Sequence, residues 1–346
     1  MGAVMRSAAW RSRIVKGYLR YLASTSKPIL LGPWRSELGF EVLYWIPFLT
    51  WAQKRYGISP ERCCAVSRGG LGALYPAKQH IDLYDLRTVD QVRMENGLDA
   101  ERRKILKQMD KTPWDDLVLK EAATRIYGAG EAYHVLHPSW MYWLFDPVWQ
   151  DRATLQHIAA HTDFQPLPTP TLPAEAGLPP KYVAVRFYER FTFPLQGEVI
   201  DFVREMVQAV ASRIPVVLLN QKAFVDDHVD LPIVGPNIYM LPEVAPSQNL
   251  LVQAAVLAKA EAFIGTYGGV AQWALRYRKP TLSCYTQFHG TAFAHRQLSH
   301  LLASMMGIPF ELLDLRALRL WQTALLPPSP PPAQAEVKPE PEAVPA

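Results

Sequence analysis

The chain has 346 residues, 49% hydrophobic and 20% charged, with a formal net charge of +4. That apolar fraction supports a large buried core and excludes a wholly disordered chain, and the length predicts two domains. The slight basic excess does not mark a nucleic-acid binder, and three cysteines (adjacent Cys63 and Cys64, distant Cys284) form neither a disulfide framework nor a zinc spacing, which suits a reducing, cytosolic setting.

Residues 1–26 read as a basic amphipathic helix, with no acidic residue before Glu37. Trp10, Ile14, Tyr18, Tyr21 and Leu22 share one side at 100° per residue, and Arg6, Arg13, Lys16 and Arg20 the other. Such a helix lies on a membrane surface or packs on its own domain with a solvated basic face. No apolar run reaches the roughly 20 residues of a membrane-spanning helix, the most apolar stretch (40–51) being broken by Glu41 and Pro47.

Residues 27–165 predict a first α/β domain. A short strand over 28–31 leads into the loop Gly32-Pro33-Trp34-Arg35-Ser36-Glu37-Leu38-Gly39. A helix follows over 40–56 and stops at Gly57. A second strand (62–67), a charged helical stretch (90–128) and a strand at 133–136 come next. Six prolines between Pro166 and Pro180 form a linker. Residues 181–326 predict a second domain: strands at 182–186, 215–219, 238–241, 262–264 and 281–285, and helices at 198–213, 248–260 and 270–278. Ser247 is the expected cap of the second of these helices. The last 20 residues, 327–346, carry eight prolines and read as a disordered tail. Strand–helix alternation on both sides of the linker predicts two Rossmann-like domains, α/β in class, facing one cleft. Ligands in such sheets bind beyond the carboxyl ends of the strands.

Four constellations carry chemistry. In Phe263-Ile264-Gly265-Thr266-Tyr267-Gly268-Gly269-Val270 a buried strand turns through glycines into a helix, a ready site for a diphosphate, with Thr266 adding a hydroxyl. The bland alternative is a tight turn that needs glycine for space. Arg186, at the end of the domain's first strand, and Arg190, in the loop beyond, offer guanidinium forks for phosphate, unless they pair with Glu189 or Glu198. The Gly32–Gly39 loop, with Trp34, Arg35 and Ser36, holds Glu37, the best-placed general base; Glu41 is its rival. For both acids the alternative is a helix N-terminal position favoured by the dipole. The aromatic run around His137 and Trp140 would stack on a sugar acceptor or form core.

The stretch 246–285, a helix, then Ala-Phe-Ile-Gly-Thr-Tyr-Gly-Gly, a second helix and Arg-Lys-Pro-Thr, resembles the C-terminal half of GT-B glycosyltransferases of the heptosyltransferase and fucosyltransferase-like kind. Val185-Arg186 with Arg190 is similar to a basic strand-end motif of that group, and Gly32–Gly39 to its N-terminal glycine loop. The resemblance implies a GT-B-like fold with an acceptor domain at 27–165 and a donor domain at 181–326 that ends in a return helix. It implies transfer of a sugar from a nucleotide-sugar donor to a polysaccharide or glycoconjugate acceptor, at the inner face of a membrane if that acceptor is lipid-linked. Arg186, Arg190 and Gly265, Thr266, Tyr267, Gly268 and Gly269 would take the leaving diphosphate, Glu243 a ribose hydroxyl, and Glu37 the acceptor proton. With no Asp-X-Asp motif in the chain, no metal and no cofactor beyond the nucleotide sugar is expected. A GT-B-like epimerase and a non-catalytic nucleotide- or glycan-binding protein are the alternatives.

Overall fold

A computed structural model describes residues 8–103, 108–150, 153–171, 177–189, 193–194, 196–220, 228–287 and 290–326. The predicted tail, 327–346, lies outside these residues, as does Arg190.

Helix α1 (Ala8–Ser24) packs on its own domain. Val15, Leu19 and Leu22 are fully buried, and the Tyr18 ring stacks on Trp140 at 4.4 Å. The Arg11 side chain pairs with Asp146 at 2.6 Å. The apolar stripe is therefore spent inside the protein, while Arg13 and Arg20 remain exposed.

The N-terminal sheet holds β1 (Ile29–Leu31), β2 (Cys63–Ser67), β3 (Gln79–Asp82) and β4 (His134–Leu136) in the parallel order β3-β2-β1-β4. Between β1 and β2, α2 (Leu38–Phe40) runs through a π-turn (Glu41–Trp45) into α3 (Ile46–Tyr56). Gly57 ends that helix at φ 71°, a left-handed conformation that costs glycine nothing. Helices α4 (Val89–Arg103), α5 (Pro113–Tyr127), α6 (Ser139–Trp149) and α7 (Leu155–Ala159) complete the domain. Strand β3 escaped the sequence reading because Gln79 and His80 are exposed on an edge strand and show no apolar alternation.

The C-terminal domain runs β5 (Val183–Arg186), β6 (Tyr188–Glu189), α8 (Gly197–Ala211), β7 (Val216–Leu218), β8 (Val229–Asp230), β9 (Ile238–Met240), α9 (Pro246–Lys259), β10 (Ala262–Thr266), α10 (Gly269–Arg276), β11 (Thr281–Tyr285), α11 (Gly290–Met306), β12 (Phe310–Asp314) and α12 (Leu318–Leu325). Six strands form one parallel sheet in the order β12-β11-β10-β5-β7-β9, and β6 and β8 make a separate antiparallel pair. Counted along the chain, that is the 3-2-1-4-5-6 order of a dinucleotide-type fold. The inner strands β5 and β7 are buried throughout, as a sheet covered on both faces requires. Ser247 does not cap α9: Pro246 opens the helix and Ala245 precedes it, since proline is already shaped for a first helical turn.

One apolar cluster spans both domains, joining Trp45 and Tyr142 to Val270 and Trp273. The end of the first domain and the start of the linker meet the C-terminal end of α10: the Gln165 carbonyl accepts from Arg276 (2.7 Å) and the Pro168 carbonyl from Tyr277 (3.1 Å). The last helix, α12, lies against α8 in its own domain; it is α11 that reaches the N-terminal domain, where His295 bonds the Tyr44 hydroxyl at 2.6 Å. Among the described residues no helix is long and apolar enough to cross a membrane.

Candidate functional site

A parallel sheet has a crevice where its strand order reverses. In the C-terminal sheet this point lies between β5 and β10, where Arg186 and Gly265 are register partners. In the N-terminal sheet it lies between β1 and β4, where the 32–39 loop leaves.

At the first point, a methyl on Gly265 would stand 2.2 Å from the Arg186 carbonyl oxygen, so only glycine fits beside β5. Helix α10 starts one turn later. Gly268 precedes it, no side chain caps it, and its first N–H groups point out of the helix. Thr266 spends its hydroxyl locally, accepting from the Tyr188 N–H (3.1 Å) and donating to the Tyr188 carbonyl (3.3 Å). The expected ligand hydroxyl is thus a strap within the fold. Tyr267 is buried, and its N–H donates to the Cys284 carbonyl. Arg186 is buried, bonds Asp230 through Nε at 3.0 Å and lies over the Tyr188 ring at 5.2 Å. Its partner is therefore Asp230, brought in by the β6–β8 pair, and neither Glu189 nor Glu198. Tyr188 also supports the glycine turn from below: a methyl on Gly268 would stand 2.2 Å from its hydroxyl. Glu243 is exposed at the mouth of a small cavity of about 10 Å³ lined by Asn220, Val244 and Asn249. The Asn249 amide nitrogen is buried there without a hydrogen-bond partner.

The N-terminal loop differs from expectation. Trp34 is fully buried between the rings of Trp45 and Tyr142, each 6.0 Å away. Arg35 is also buried, bonding Asp115 through Nε at 3.0 Å and Asn96 at 2.8 Å. Burial alone would push the Asp115 carboxyl up, but His137 and Arg35 beside it hold it at about 2. His137 is 2% exposed; its Nδ1 is 2.9 Å from the Ser139 hydroxyl and its Nε2 3.4 Å from Asp115. Burial lowers the affinity of that imidazole for a proton. Trp140 is covered by α1. Trp34, Arg35 and His137 are thus buried with buried partners that the linear sequence does not reveal, while Trp140 is half-buried against the half-buried Tyr18.

Of the two rival acids, Glu41 is fully buried. It accepts from Ser67 Oγ at 2.5 Å and Tyr75 OH at 2.6 Å and faces Arg68 at 3.5 Å; burial raises its pKa. It has no room to meet a substrate. Glu37 is half-buried at the start of α2, with its carbonyl accepting from the Glu41 N–H at 3.3 Å. Its neighbours Leu38 and Gly39 touch the start of α10: a methyl on Gly269 would lie 2.7 Å from the Gly39 nitrogen and 3.1 Å from Leu38 Cβ. The loop that carries Glu37 thus touches the start of α10 through Leu38 and Gly39, and Arg186 stands beside Gly265 on the neighbouring strand with its side chain turned to Asp230. Sequence reasoning missed Arg68 and Asp230. Arg68 was legible as a strand-end arginine ahead of Gly69-Gly70, whereas Asp230 sits on a two-residue strand with no local signal. Among the described residues no group of three or more His, Cys, Asp or Glu side chains is placed to hold a metal ion.

Two Rossmann-like domains meeting through loops at the carboxyl ends of their strands make a GT-B-like layout. No family model matches the sequence, and no curated protein matches it. Among solved structures, the chain is similar to an E. coli heptosyltransferase WaaC with ADP, at 15% identity over 77% of this chain and 90% of that one, with a TM-score of 0.39. It is also similar to a glycosyl transferase family 9 protein from Veillonella parvula, at 12% identity over 86% of this chain and 89% of that one, with a TM-score of 0.47. A UDP-GlcNAc 2-epimerase from Methanocaldococcus jannaschii matches at 10% identity over 86% and 91%, with a TM-score of 0.31.

Proposed function

We propose that the chain is a glycosyltransferase that moves a sugar from a nucleotide-sugar donor to a polysaccharide or glycoconjugate acceptor without a metal. The observation that supports this most is the turn at the switch point, which leaves Gly265 beside Arg186 and leads into the uncapped start of α10 against the Glu37 loop. Sugar transfer develops negative charge on the departing diphosphate and requires a proton to leave the acceptor hydroxyl. The N–H groups of Gly269 and Val270, with the positive end of α10, suit the first task. Arg186, on the strand beside Gly265, and Arg190, which follows it in sequence, suit the remaining charge. Glu37 suits the second task, with direct in-line displacement and inversion at the sugar carbon. Glu243, exposed beside the small cavity, suits a ribose hydroxyl. A lipid-linked acceptor would meet the chain at a membrane's inner face, where exposed Arg13 and Arg20 on α1 suit acidic headgroups.

Calorimetry with UDP, GDP, ADP and CMP tests this reading. Heat with one of them is expected, and Arg186→Ala weakens that binding by about 1.5–3 kcal/mol, the range for hydrogen bonds to charged groups. Silence with all four nucleotides overturns it. Turnover of a nucleotide sugar with no acceptor would instead identify an epimerase.

A further inference from the structure

We propose that Arg68 and Glu41 are positioning residues: their buried pair holds two glycine loops of the N-terminal domain against two helix starts of the C-terminal domain, and so sets the gap between Glu37 and α10. The functional half of this rests on the glycosyltransferase reading; the docking half does not.

The first loop is 36–39, whose Gly39 meets Gly269 at the start of α10. The second is Gly69-Gly70. A methyl on Gly69 would stand 2.8 Å from Leu250 Cγ, and one on Gly70 2.6 Å from Leu251 Cβ and 3.1 Å from the Ser247 carbonyl oxygen. All three residues belong to the first turns of α9. The Leu251 N–H donates across the domain boundary to the Gly69 carbonyl at 2.8 Å. Each dock is thus backbone against a helix start, at a separation that no side chain permits.

Arg68 joins the two docks. It leads directly into Gly69, is 8% exposed, and donates through Nη2 to the Ser36 carbonyl in the other loop. Its Nη1 faces Glu41 Oε2 at 3.5 Å. Glu41 follows α2 and opens the π-turn, and its other oxygen accepts from Ser67 at the end of β2 and from Tyr75 beyond the second loop. One carboxylate and one guanidinium therefore bind the loop after β1 to the loop after β2. A buried ion pair contributes little net stability, because desolvation offsets the attraction. What this one does is hold two loops in one register. A shift of the first loop would carry Glu37 away from α10, and misplacement by about 1 Å costs a reaction about 100-fold.

The test compares Arg68→Gln and Arg68→Lys with the full-length protein by hydrogen exchange and by kinetics. In Arg68→Gln the Leu251 amide exchanges at least about tenfold faster while the amides of β5 and β10 keep their protection, the signature of local release. Nucleotide affinity stays within about twofold while kcat falls about 100-fold, and Arg68→Lys recovers part of both losses. Unchanged Leu251 exchange in Arg68→Gln overturns the proposal, as does equal loss of protection across both sheets. If Arg68→Gln does not fold, Tyr75→Phe, which removes one donor to Glu41, must speed Leu251 exchange for the proposal to stand. If the parent protein binds no nucleotide, the glycosyltransferase reading fails while Leu251 exchange still decides the docking claim.

Discussion

The loop after β1 and the loop after β10 both leave a sheet beside the point where its strand order reverses, and both lead into a helix. They use their residues in opposite ways. The first is rich in chemical side chains, yet Trp34 and Arg35 point into the domain, one into an aromatic stack and the other onto Asp115. The second offers little but backbone, and that backbone is what remains at the domain junction. A polar or aromatic side chain advertises a function it often does not have, because burial with a partner satisfies it equally well. A glycine turn before a helix has no side chain to satisfy; here its glycines are required because the Arg186 carbonyl, the Tyr188 hydroxyl and the Gly39 backbone already stand where a methyl would be.

Three changes would break or sharpen that contrast. The largest effect is expected from Arg35→Met, which strands a buried carboxylate. It should lower stability by about 3–5 kcal/mol in denaturant unfolding and leave nucleotide affinity of the folded protein unchanged. A loss of affinity without a loss of stability would return Arg35 to the binding site. Next comes Gly268→Ala, which drives a methyl against the Tyr188 hydroxyl, 2.2 Å away, with the ring carbon behind it at 3.5 Å. The cost should be about 1–3 kcal/mol, as for one surplus methyl in a packed site, and Tyr188→Phe should recover most of it. Failure of that rescue would show that the turn is limited by something other than Tyr188. The smallest effect is a slope. Asp115 titrates at about 2 in the folded protein, below the ordinary carboxylate value. It therefore adds stability that is full above about pH 4 and is lost as the pH falls through about 2. Asp115→Asn should flatten that part of the acid-unfolding curve, and an unchanged slope would deny the carboxylate its place beside Arg35.

Much of the fold was legible along the chain. The strands at β1, β2, β4, β5, β7, β9, β10 and β11 are short apolar runs between helices with apolar faces, and a fully covered parallel sheet writes itself that way. The exceptions follow from the same physics. The edge strands β3 and β12 are half-polar, and β6 and β8 are two residues long. The apolar stripe of α1 was read one step out of phase, because Tyr21 is exposed whereas Val15 and Leu19 are buried. In the candidate site, the residues that stand beside one another on adjacent strands, Arg186 and Gly265, were foreseeable from strand ends. The division of labour between Glu37 and Glu41 was not, since both sit at the same helix start and only the arrival of Ser67, Arg68 and Tyr75 separates them.

The sequence by itself determined the two α/β halves, the proline-rich joint between them and the glycine turn ahead of α10, all of which depend on local periodicity and on the conformational range of glycine and proline. The tertiary structure decided the partners of the buried charges. Arg35 meets Asp115 80 residues away, Arg186 meets Asp230 44 residues away, and Arg276 meets the Val42 carbonyl 234 residues away. A charge can be buried only where an opposite or hydrogen-bonding group is brought to it, and that meeting is a property of the folded chain.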